Sequence, residues 1–176
     1  MNKFHTISIV CILLLASCNS HKKDEAIVIF PNSLQEYCYN DTIEQDSYYN
    51  ENRYKLLAYF DSLGCFECKI NEMIAWSGMI DYFATNHSNC KIIFILSPSV
   101  QDFENTFNYV KSYDFDYPIY LDYCNEFANS NPFLHNKEHR GKSILLDKND
   151  KIVLNVDNIL HSKEGLQSIH SFLKYN

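Results

Sequence analysis

Four short apolar runs along the chain have the length and composition of buried β-strands. Each is five to seven residues long and is apolar at nearly every position. Runs of this kind are typical of strands that are covered on both faces of a sheet. The pattern therefore predicts strands over residues 26–30, 54–60, 91–96 and 117–121.

Stretches with apolar residues three or four positions apart lie between and after these runs. The longest, Cys68 to Thr85, predicts one continuous helix. Ser97-Pro98 is a start signal for a second helix, because serine caps helices and proline fits their first position. The apolar positions of this second helix are Val100, Phe103, Phe107 and Val110. A brief helix is predicted within 122–131, and a closing helix over 162–175 with Leu166, Ile169 and Leu173 on one face.

The remaining segments complete the order of elements. Two apolar segments, Ser143–Asp147 and Lys151–Val156, flank a turn-forming spacer and predict a β-hairpin. Gln35 to Asn50 is polar and rich in tyrosine, which predicts a loop with a short strand. The order predicts an α/β fold whose central mixed sheet joins parallel strands to an antiparallel carboxy-terminal hairpin. Helices are expected on both faces of that sheet.

The composition indicates one domain and excludes one class of partner. A chain of 176 residues, 46% hydrophobic, is long enough to bury one sizeable core. We expect a single domain over residues 26–176, with its core at about 52–175. The net charge is -7, and the basic residues are scattered rather than clustered. A nucleic-acid-binding surface is therefore not predicted.

Residues 1–17 have the anatomy of a secretory signal peptide. A positive charge near the start precedes an apolar stretch, Ile7 to Ala16, that is too short to span a bilayer permanently. The ending Leu15-Ala16-Ser17-Cys18 resembles the lipobox of bacterial lipoproteins. The resemblance implies cleavage before Cys18 and acylation of that cysteine. We therefore expect a lipidated tether over 18–25 that holds the domain to the lipid bilayer of the bacterial cell envelope, at the outer membrane.

Two questions about this segment stay open. An ordinary signal peptide would leave Cys18 as an incidental residue. The charged run Lys22 to Glu25 resembles the export signal of some surface lipoproteins, but a solvated linker has the same composition. Periplasm-facing and surface-facing orientations are therefore both possible.

The stretch Gly64-Cys65-Phe66-Glu67-Cys68 places a C-x-x-C motif at the junction of the 54–60 strand and the first long helix. This junction and the order of elements resemble the thioredoxin fold. More narrowly, DSLGCFECK (Asp61–Lys69) and ILLDKNDKIV (Ile144–Val153) resemble stretches of membrane-anchored, thioredoxin-like lipoproteins. The resemblance implies a thiol–disulfide oxidoreductase that acts on protein thiols or disulfides in the envelope, with an unknown electron donor and no cofactor.

The chemistry of the motif gives its residues different roles. Unpaired N–H groups and the positive end of the helix dipole favour a thiolate at a helix start, so Cys65 is expected to attack and Cys68 to resolve the mixed disulfide. Glu67 places negative charge beside Cys65. This charge is expected to raise the pKa of Cys65 and to make the centre more reducing. Phe66 either offers a docking partner an apolar contact or covers the site.

Two positions depart from the thioredoxin pattern. Gly64 stands where thioredoxins carry a tryptophan, and Gly141, next to Arg140, stands where they carry a cis-proline that helps to hold an extended substrate. Two interpretations stay open. Substrate capture is weak, which favours a non-catalytic binding scaffold, or Arg140 and the loop 131–139 replace the proline.

A metal-binding alternative comes from the other cysteines and histidines. His87-x-x-Cys90 follows the C-x-x-C motif, and two such pairs can hold tetrahedral zinc. One straight helix between the pairs would separate them by about 25 Å, which excludes a shared ion. Thiolates of the C-x-x-C motif alone leave a metal carrier as a third function class. Among Cys38, Cys90 and Cys124 two can pair in an oxidising envelope, and Cys90 is expected to be a buried thiol.

Overall fold

The computed structural model describes residues 26–37, 53–61, 65–99, 103–113, 115, 117–135 and 142–176. The strands are β1 (Gln35–Tyr37), β2 (Tyr54–Phe60), β3 (Cys90–Leu96), β4 (Ile119–Leu121), β5 (Lys142–Asp147) and β6 (Ile152–Asp157). The helices are α1 (Phe66–Ala75), α2 (Ser77–Asn86), α3 (Phe103–Ser112), α4 (Glu126–Ser130) and α5 (Lys163–Tyr175), with a 3-10 turn at Pro132–His135. The predicted signal peptide, Cys18, the tether, Cys38, Gly64, Arg140 and Gly141 lie outside the described residues.

The strands form one six-stranded mixed sheet in the order β1-β4-β3-β2-β5-β6. β2, β3 and β4 are parallel, and their pairing register joins Phe60 to Leu96 and Leu96 to Leu121. β5 and β6 form the predicted antiparallel hairpin, and β1 pairs antiparallel with β4. The carboxyl ends of the parallel strands therefore meet at one edge of the sheet, which is where the C-x-x-C motif follows β2.

Side chains of the central strands alternate between two buried clusters. In β2, Leu56 and Phe60 face one cluster and Leu57 faces the other. The first cluster is covered by α1, α2, α3 and α5, and the second by α4, the 3-10 turn and the segment around Val28. Burial on both faces explains why these strands are apolar at nearly every position. The predicted fold class, with helices on both faces of a mixed sheet, is confirmed.

The prediction of a strand over residues 26–30 is wrong. Ile27 makes only an isolated bridge with Lys151, and Ile27 and Ile29 are exposed. The backbone N–H of Ile29 donates to Oδ1 of Asn131, and Nδ2 of Asn131 donates to the Ile29 carbonyl. A side-chain amide therefore takes the place of a neighbouring strand, while Val28 packs into the core.

The predicted continuous helix from Cys68 to Thr85 is divided into α1 and α2 at Trp76. The Trp76 indole is buried and packs edge-to-face on Phe94, with ring centroids 5.5 Å apart. The backbone N–H of Trp76 donates to the carbonyl of Met73, three residues back, and the Ser77 hydroxyl donates to the Ile74 carbonyl. These contacts tighten the turn and end α1.

The predicted helix start at Ser97-Pro98 is also wrong, because α3 begins at Phe103. Ser97 is fully buried, and its hydroxyl donates to Oδ1 of Asn125 at 2.6 Å. The serine therefore ties the end of β3 to the loop after β4 instead of capping a helix. Val100, the first position of the predicted apolar stripe, lies outside the described residues.

Candidate functional site

Cys65 and Cys68 lie at the start of α1 and form a disulfide. Cys65 is the residue before the helix and has extended backbone angles, φ -74° and ψ 112°. Its Sγ accepts the backbone N–H of Cys68 at 3.2 Å, and the two Cα atoms are 5.3 Å apart. Both cysteines are exposed. The sulfur pair is therefore open to an approaching thiol or disulfide at a helix amino terminus, where thiolates are favoured.

The buried face of α1 fixes the position of this pair. Ile70 and Met73 have no exposed surface and belong to the core under β2 and β3. Cys65, Glu67 and Cys68, at the start of the helix, are by contrast exposed. Apolar packing of Ile70 and Met73 thus holds α1 against the sheet and fixes the position of the two cysteines at its edge.

An ion pair closes the junction between β2 and α1. The Lys69 ammonium donates to both the carboxylate and the backbone carbonyl of Asp61, the residue that follows β2. The two side chains are only partly exposed, so their attraction is less screened by solvent than that of a surface pair. Asp61 and Lys69 bound the DSLGCFECK stretch, and this contact gives both residues a structural role that sequence reasoning did not assign.

Glu67 has a partner from a distant part of the chain. The hydroxyl of Tyr109, in α3, donates to Oε1 of Glu67 at 2.9 Å. This hydrogen bond, together with the negative charge of Glu67, raises the pKa of Tyr109. Tyr109 was not predicted as a site residue, because nothing local in the sequence connects positions 42 residues apart. The contact places α3 beside the C-x-x-C motif.

Polar residues that follow β3 and β4 form hydrogen bonds at the same edge of the sheet. The buried Asp122 carboxylate accepts the N–H of Phe127 at 3.1 Å, and burial raises the pKa of Asp122. Asn125 holds its backbone in the left-handed region at φ 54°. Burial also raises the pKa of Tyr59, near the end of β2, to about 12. Asp122 thus caps the short helix α4 and fixes the loop that Ser97 contacts.

The second Cys/His pair of the sequence lies at the other end of the strands. Cys90 pairs in register with Tyr54, at the start of β2, whereas the C-x-x-C motif follows Phe60, at the end of β2. A seven-residue strand spans about 20 Å, so the two pairs are separated by the strand as well as by the helices. The separation holds although the helix between them is broken.

The cysteines outside the motif differ in their surroundings. Cys90 is buried, as predicted, and burial raises its pKa to about 12. Cys124 is exposed, and neither Cys90 nor Cys124 is in a disulfide. Cys38, the third candidate, is outside the described residues, but any pairing among the three would include Cys90 or Cys124, so the predicted pairing is not present in the structure. Cys124 supplies an accessible thiol that any experiment on Cys65 must control.

The proposed substrate-side residues are described only in part. Cys65, Cys68 and Glu67 are brought together at the start of α1, whereas Arg140 and Gly141 lie outside the described residues. The backbone of Phe66 forms the first residue of α1. In the described ranges, no helix has both the length and the apolar composition needed to cross a membrane.

Comparisons with known proteins agree with this architecture. No family model and no curated protein sequence matches the chain. A solution structure of a protein from Neisseria meningitidis, proposed to be a thioredoxin, has a TM-score of 0.50 and 16% identity over 72% of this chain and 77% of that chain. A thioredoxin-like protein from Porphyromonas gingivalis has a TM-score of 0.49 and 15% identity over 80% and 86%.

The exposed lipoprotein thioredoxin of Streptococcus pneumoniae is also similar, with a TM-score of 0.47 and 16% identity over 73% of this chain and 87% of that chain. At 16% identity, the similarity to the Neisseria meningitidis structure supports the fold alone. The sheet order, the parallel crossovers and the carboxy-terminal hairpin support the same fold. The chain has a thioredoxin-like α/β fold, with a C-x-x-C disulfide at the start of the helix that follows its first parallel strand.

Proposed function

We propose that this protein is a thiol–disulfide oxidoreductase of the bacterial cell envelope, tethered to the membrane through acylated Cys18. The observation that carries the proposal is the exposed Cys65–Cys68 disulfide at the amino terminus of α1. Cysteines in such a position are reactive because the thiolate is stabilised and solvent gives access to it. The thioredoxin-like fold supports the same activity by analogy.

The proposed reaction passes two electrons from the Cys65/Cys68 dithiol to a substrate disulfide. The Cys65 thiolate attacks one substrate sulfur, the substrate S–S bond breaks, and the departing substrate sulfur takes up a proton. Cys68 then loses its proton and attacks Sγ of Cys65, which releases the second substrate sulfur as a thiol. The enzyme keeps the Cys65–Cys68 disulfide, and a dithiol donor of the envelope reduces it for the next cycle.

The residues around the cysteines are proposed to adjust this exchange. Glu67 disfavours the Cys65 thiolate and makes the centre more reducing. Phe66 is proposed to contact the docked substrate, and Arg140 and Gly141 to line the position where thioredoxins hold their substrate. Glu67→Gln should raise the reduction potential. The control is Glu72→Gln, which changes a second glutamate of α1 that accepts a hydrogen bond from Asn158, and it should leave the reduction potential unchanged.

The decisive test is a disulfide trap. A Cys68→Ser variant, made in a Cys124→Ser background, is expected to accumulate mixed disulfides between Cys65 and envelope proteins, because the resolving thiol is missing. The matched control replaces both Cys65 and Cys68 with serine and should capture nothing. If the variant captures no protein, or if the control captures the same proteins, the oxidoreductase proposal is wrong and a non-catalytic binding scaffold is favoured.

The reduction potential is a second, independent test. Structural disulfides of exported proteins have potentials below about -300 mV, whereas exchanging centres lie higher. Equilibration of the purified protein with a graded thiol–disulfide buffer measures this value. A potential below that threshold would mark the Cys65–Cys68 disulfide as structural.

The tether is tested separately from the chemistry. Metabolic labelling with palmitate should mark the wild-type protein and leave a Cys18→Ser variant unlabelled and absent from the membrane fraction. Labelling that persists in Cys18→Ser would exclude lipidation at this cysteine and would leave the trap result unaffected.

A further inference from the structure

The exposed charges of the domain are divided unequally between the two ends of the parallel strands. The end that carries the cysteines also receives the end of β6 and the start of α5, because β6 and β2 are both antiparallel to β5. Among the side chains that the structure describes there, exposed carboxylates outnumber exposed cations. The carboxylates are Glu67, Glu126, Asp157 and Glu164, and the exposed lysine beside them is Lys163. The cysteine end is therefore acidic.

The opposite end, where β2 and β3 begin, carries exposed cations. Arg53 precedes β2, and Lys148 lies in the turn between β5 and β6. Lys174 lies in the last turn of α5, which returns to this end, since the ring of Phe172 meets the ring of Tyr54 edge-to-face at 5.7 Å. Arg53, Lys148 and Lys174 are all exposed.

The acidic side chains described at this end already have partners. The Asp147 carboxylate accepts the backbone N–H groups of Asn149 and Lys151, at 2.8 and 3.1 Å. The Asp150 carboxylate pairs with the buried Lys55 at 2.6 Å. Neither acid therefore neutralises the three exposed cations, and this end presents positive charge although the whole chain has a net charge of -7.

Exposed apolar side chains lie beside these cations. Ile27 is 62% exposed and Ile29 is 54% exposed, on either side of the buried Val28. The bridge between Ile27 and Lys151 places them next to the turn that joins β5 to β6. Tyr175 is 77% exposed, and its ring lies 5.5 Å from the Lys174 ammonium. Isoleucine and tyrosine next to lysine are the residues that suit the boundary between water and lipid.

The chain enters this part of the domain directly from the predicted tether. Ala26, the first described residue, accepts the N–H of Ile152 at the start of β6, at 2.9 Å. Cys18 lies eight residues before Ala26, so the tether spans at most about 28 Å. An acyl group on Cys18 thus keeps the domain within reach of the bilayer. Surface charge and apolar contact then decide which part of the domain touches it.

We propose that this end of the domain lies on the anionic phospholipid surface of the membrane that holds the protein. The surface, named the basic end, consists of Ile27, Ile29, Arg53, Lys148, Lys174 and Tyr175. Anionic lipid headgroups attract its cations and repel the acidic cysteine end, while its apolar side chains enter the headgroup region. The inference rests on the membrane location proposed above and not on the thiol chemistry.

This orientation determines which partners reach the cysteines. The seven residues of β2 span about 20 Å between the basic end and the cysteine end. The Cys65–Cys68 disulfide therefore faces away from the bilayer. Its substrates are then soluble proteins of the envelope rather than cysteines embedded in the membrane.

Fluorescence quenching on vesicles tests the orientation without native acylation. The mature chain from residue 18, with serine at Cys18, Cys38 and Cys124 and with the Cys65–Cys68 disulfide oxidised, is held on vesicles by an amino-terminal hexahistidine tag and a nickel-chelating lipid. A fluorophore is attached through Asn149→Cys at the basic end or through His161→Cys at the cysteine end, both exposed positions. A spin-labelled lipid quenches whichever fluorophore approaches the bilayer.

The expected result depends on the lipid. On vesicles of phosphatidylglycerol and phosphatidylcholine, the fluorophore at position 149 should be quenched at least about twofold more than the one at 161, and more than on phosphatidylcholine alone. The tether is the same on every vesicle, so the difference between lipids reports docking. Lys148→Gln with Lys174→Gln should abolish that difference. Lys163→Gln, the matched control at the cysteine end, should retain it.

The apolar contribution is tested in the same assay. Ile27→Ser with Ile29→Ser should lower the quenching at position 149, and Ile27→Leu with Ile29→Leu should preserve it, with the fold of each variant checked by circular dichroism. Equal quenching on neutral and anionic vesicles, or quenching that the lysine and serine variants leave unchanged, would overturn the proposal. A dimer in analytical ultracentrifugation that the serine variant dissociates, without any dependence on lipid, would instead assign the surface to a second copy of this chain.

The outcome is independent of the tests of the proposed function. An empty disulfide trap, or a wild-type protein that palmitate does not label, would contradict the function proposed above. Neither result would alter the quenching measured on vesicles, because the assay supplies its own tether and keeps the disulfide oxidised.

Discussion

Reduction of the Cys65–Cys68 disulfide should destabilise the protein by an amount that depends on pH. The two cysteines are three positions apart, so the cross-link closes a very small loop. Closing a loop of this size restricts the unfolded chain by about 2 kcal/mol. A purely structural disulfide would therefore make the oxidised protein more stable than the reduced one by about this amount at every pH.

The start of α1 opposes this difference once the cysteines are reduced. Backbone N–H groups of the first turn favour a thiolate at Cys65 by up to about 1 kcal/mol at an exposed site. A thiol that ionises more easily in the folded protein adds stability that is complete above the unfolded pKa of about 8.5 and is lost as the pH falls. Because the charge of Glu67 opposes part of this effect, the oxidised protein should be more stable by about 2 kcal/mol at pH 6 and by a smaller amount, no less than about 1 kcal/mol, at pH 9.

Urea unfolding followed by circular dichroism, with and without excess reductant, measures this difference at both pH values. A variant with serine at Cys65 and Cys68 should not respond to reductant, which controls for the other thiols. The buried Cys90 contributes equally to the oxidised and reduced proteins, so its raised pKa cancels in the comparison. A difference that stays at 2 kcal/mol or more from pH 6 to pH 9 would refute the proposed stabilisation of the thiolate.

Three further predictions concern stability. Asn131→Ala removes three side-chain hydrogen bonds, two to the backbone of Ile29 and one to the carbonyl of the buried Phe127, and should lower the free energy of unfolding by about 3 kcal/mol in urea. A loss below about 1 kcal/mol would contradict the assigned role. Gly165→Ala brings a Cβ to 2.7 Å from the Asp157 carbonyl oxygen and should lower the melting temperature, whereas Gly78→Ala, with open space, should stabilise α2 by up to about 1 kcal/mol. The lowered pKa of His87 means that the unfolded chain binds the proton first, so stability should fall as the pH drops below about 6.5. His87→Gln should flatten that part of the pH profile, and an unchanged slope would assign it to other groups.

Local sequence was enough to determine the central strands, the hairpin and the site of the disulfide. β2 and β3 are apolar runs of strand length, and such runs have few stable alternatives inside a small α/β domain. The last helix was predicted within one residue, because Ser162 caps it by accepting the N–H of Gly165 at 2.9 Å. Cys65 follows a strand and precedes a helix, so its position at a helix start depends only on neighbouring residues.

The tertiary structure decided what depends on contacts between distant residues. The helical pattern of residues 68–85 continues across Trp76, but packing of its indole on Phe94 ends α1 there. An apolar run at 26–30 has the composition of a strand, yet it makes only one isolated bridge to the sheet, and the side chain of Asn131 pairs with the backbone of Ile29. Periodicity is a local property, whereas partners of a backbone or a side chain are assigned by the folded chain.

The same reason applies to the polar side chains at the two ends of the parallel strands. The C-x-x-C motif is written in four consecutive residues, so sequence alone located it. Its contact with Tyr109, and the meeting of His87 with His170, join residues 42 and 83 positions apart. Only the packing of α3 beside α1, and of α5 beside α2, brings these groups within hydrogen-bonding distance, because that packing is determined by the shared apolar core and not by any local pattern.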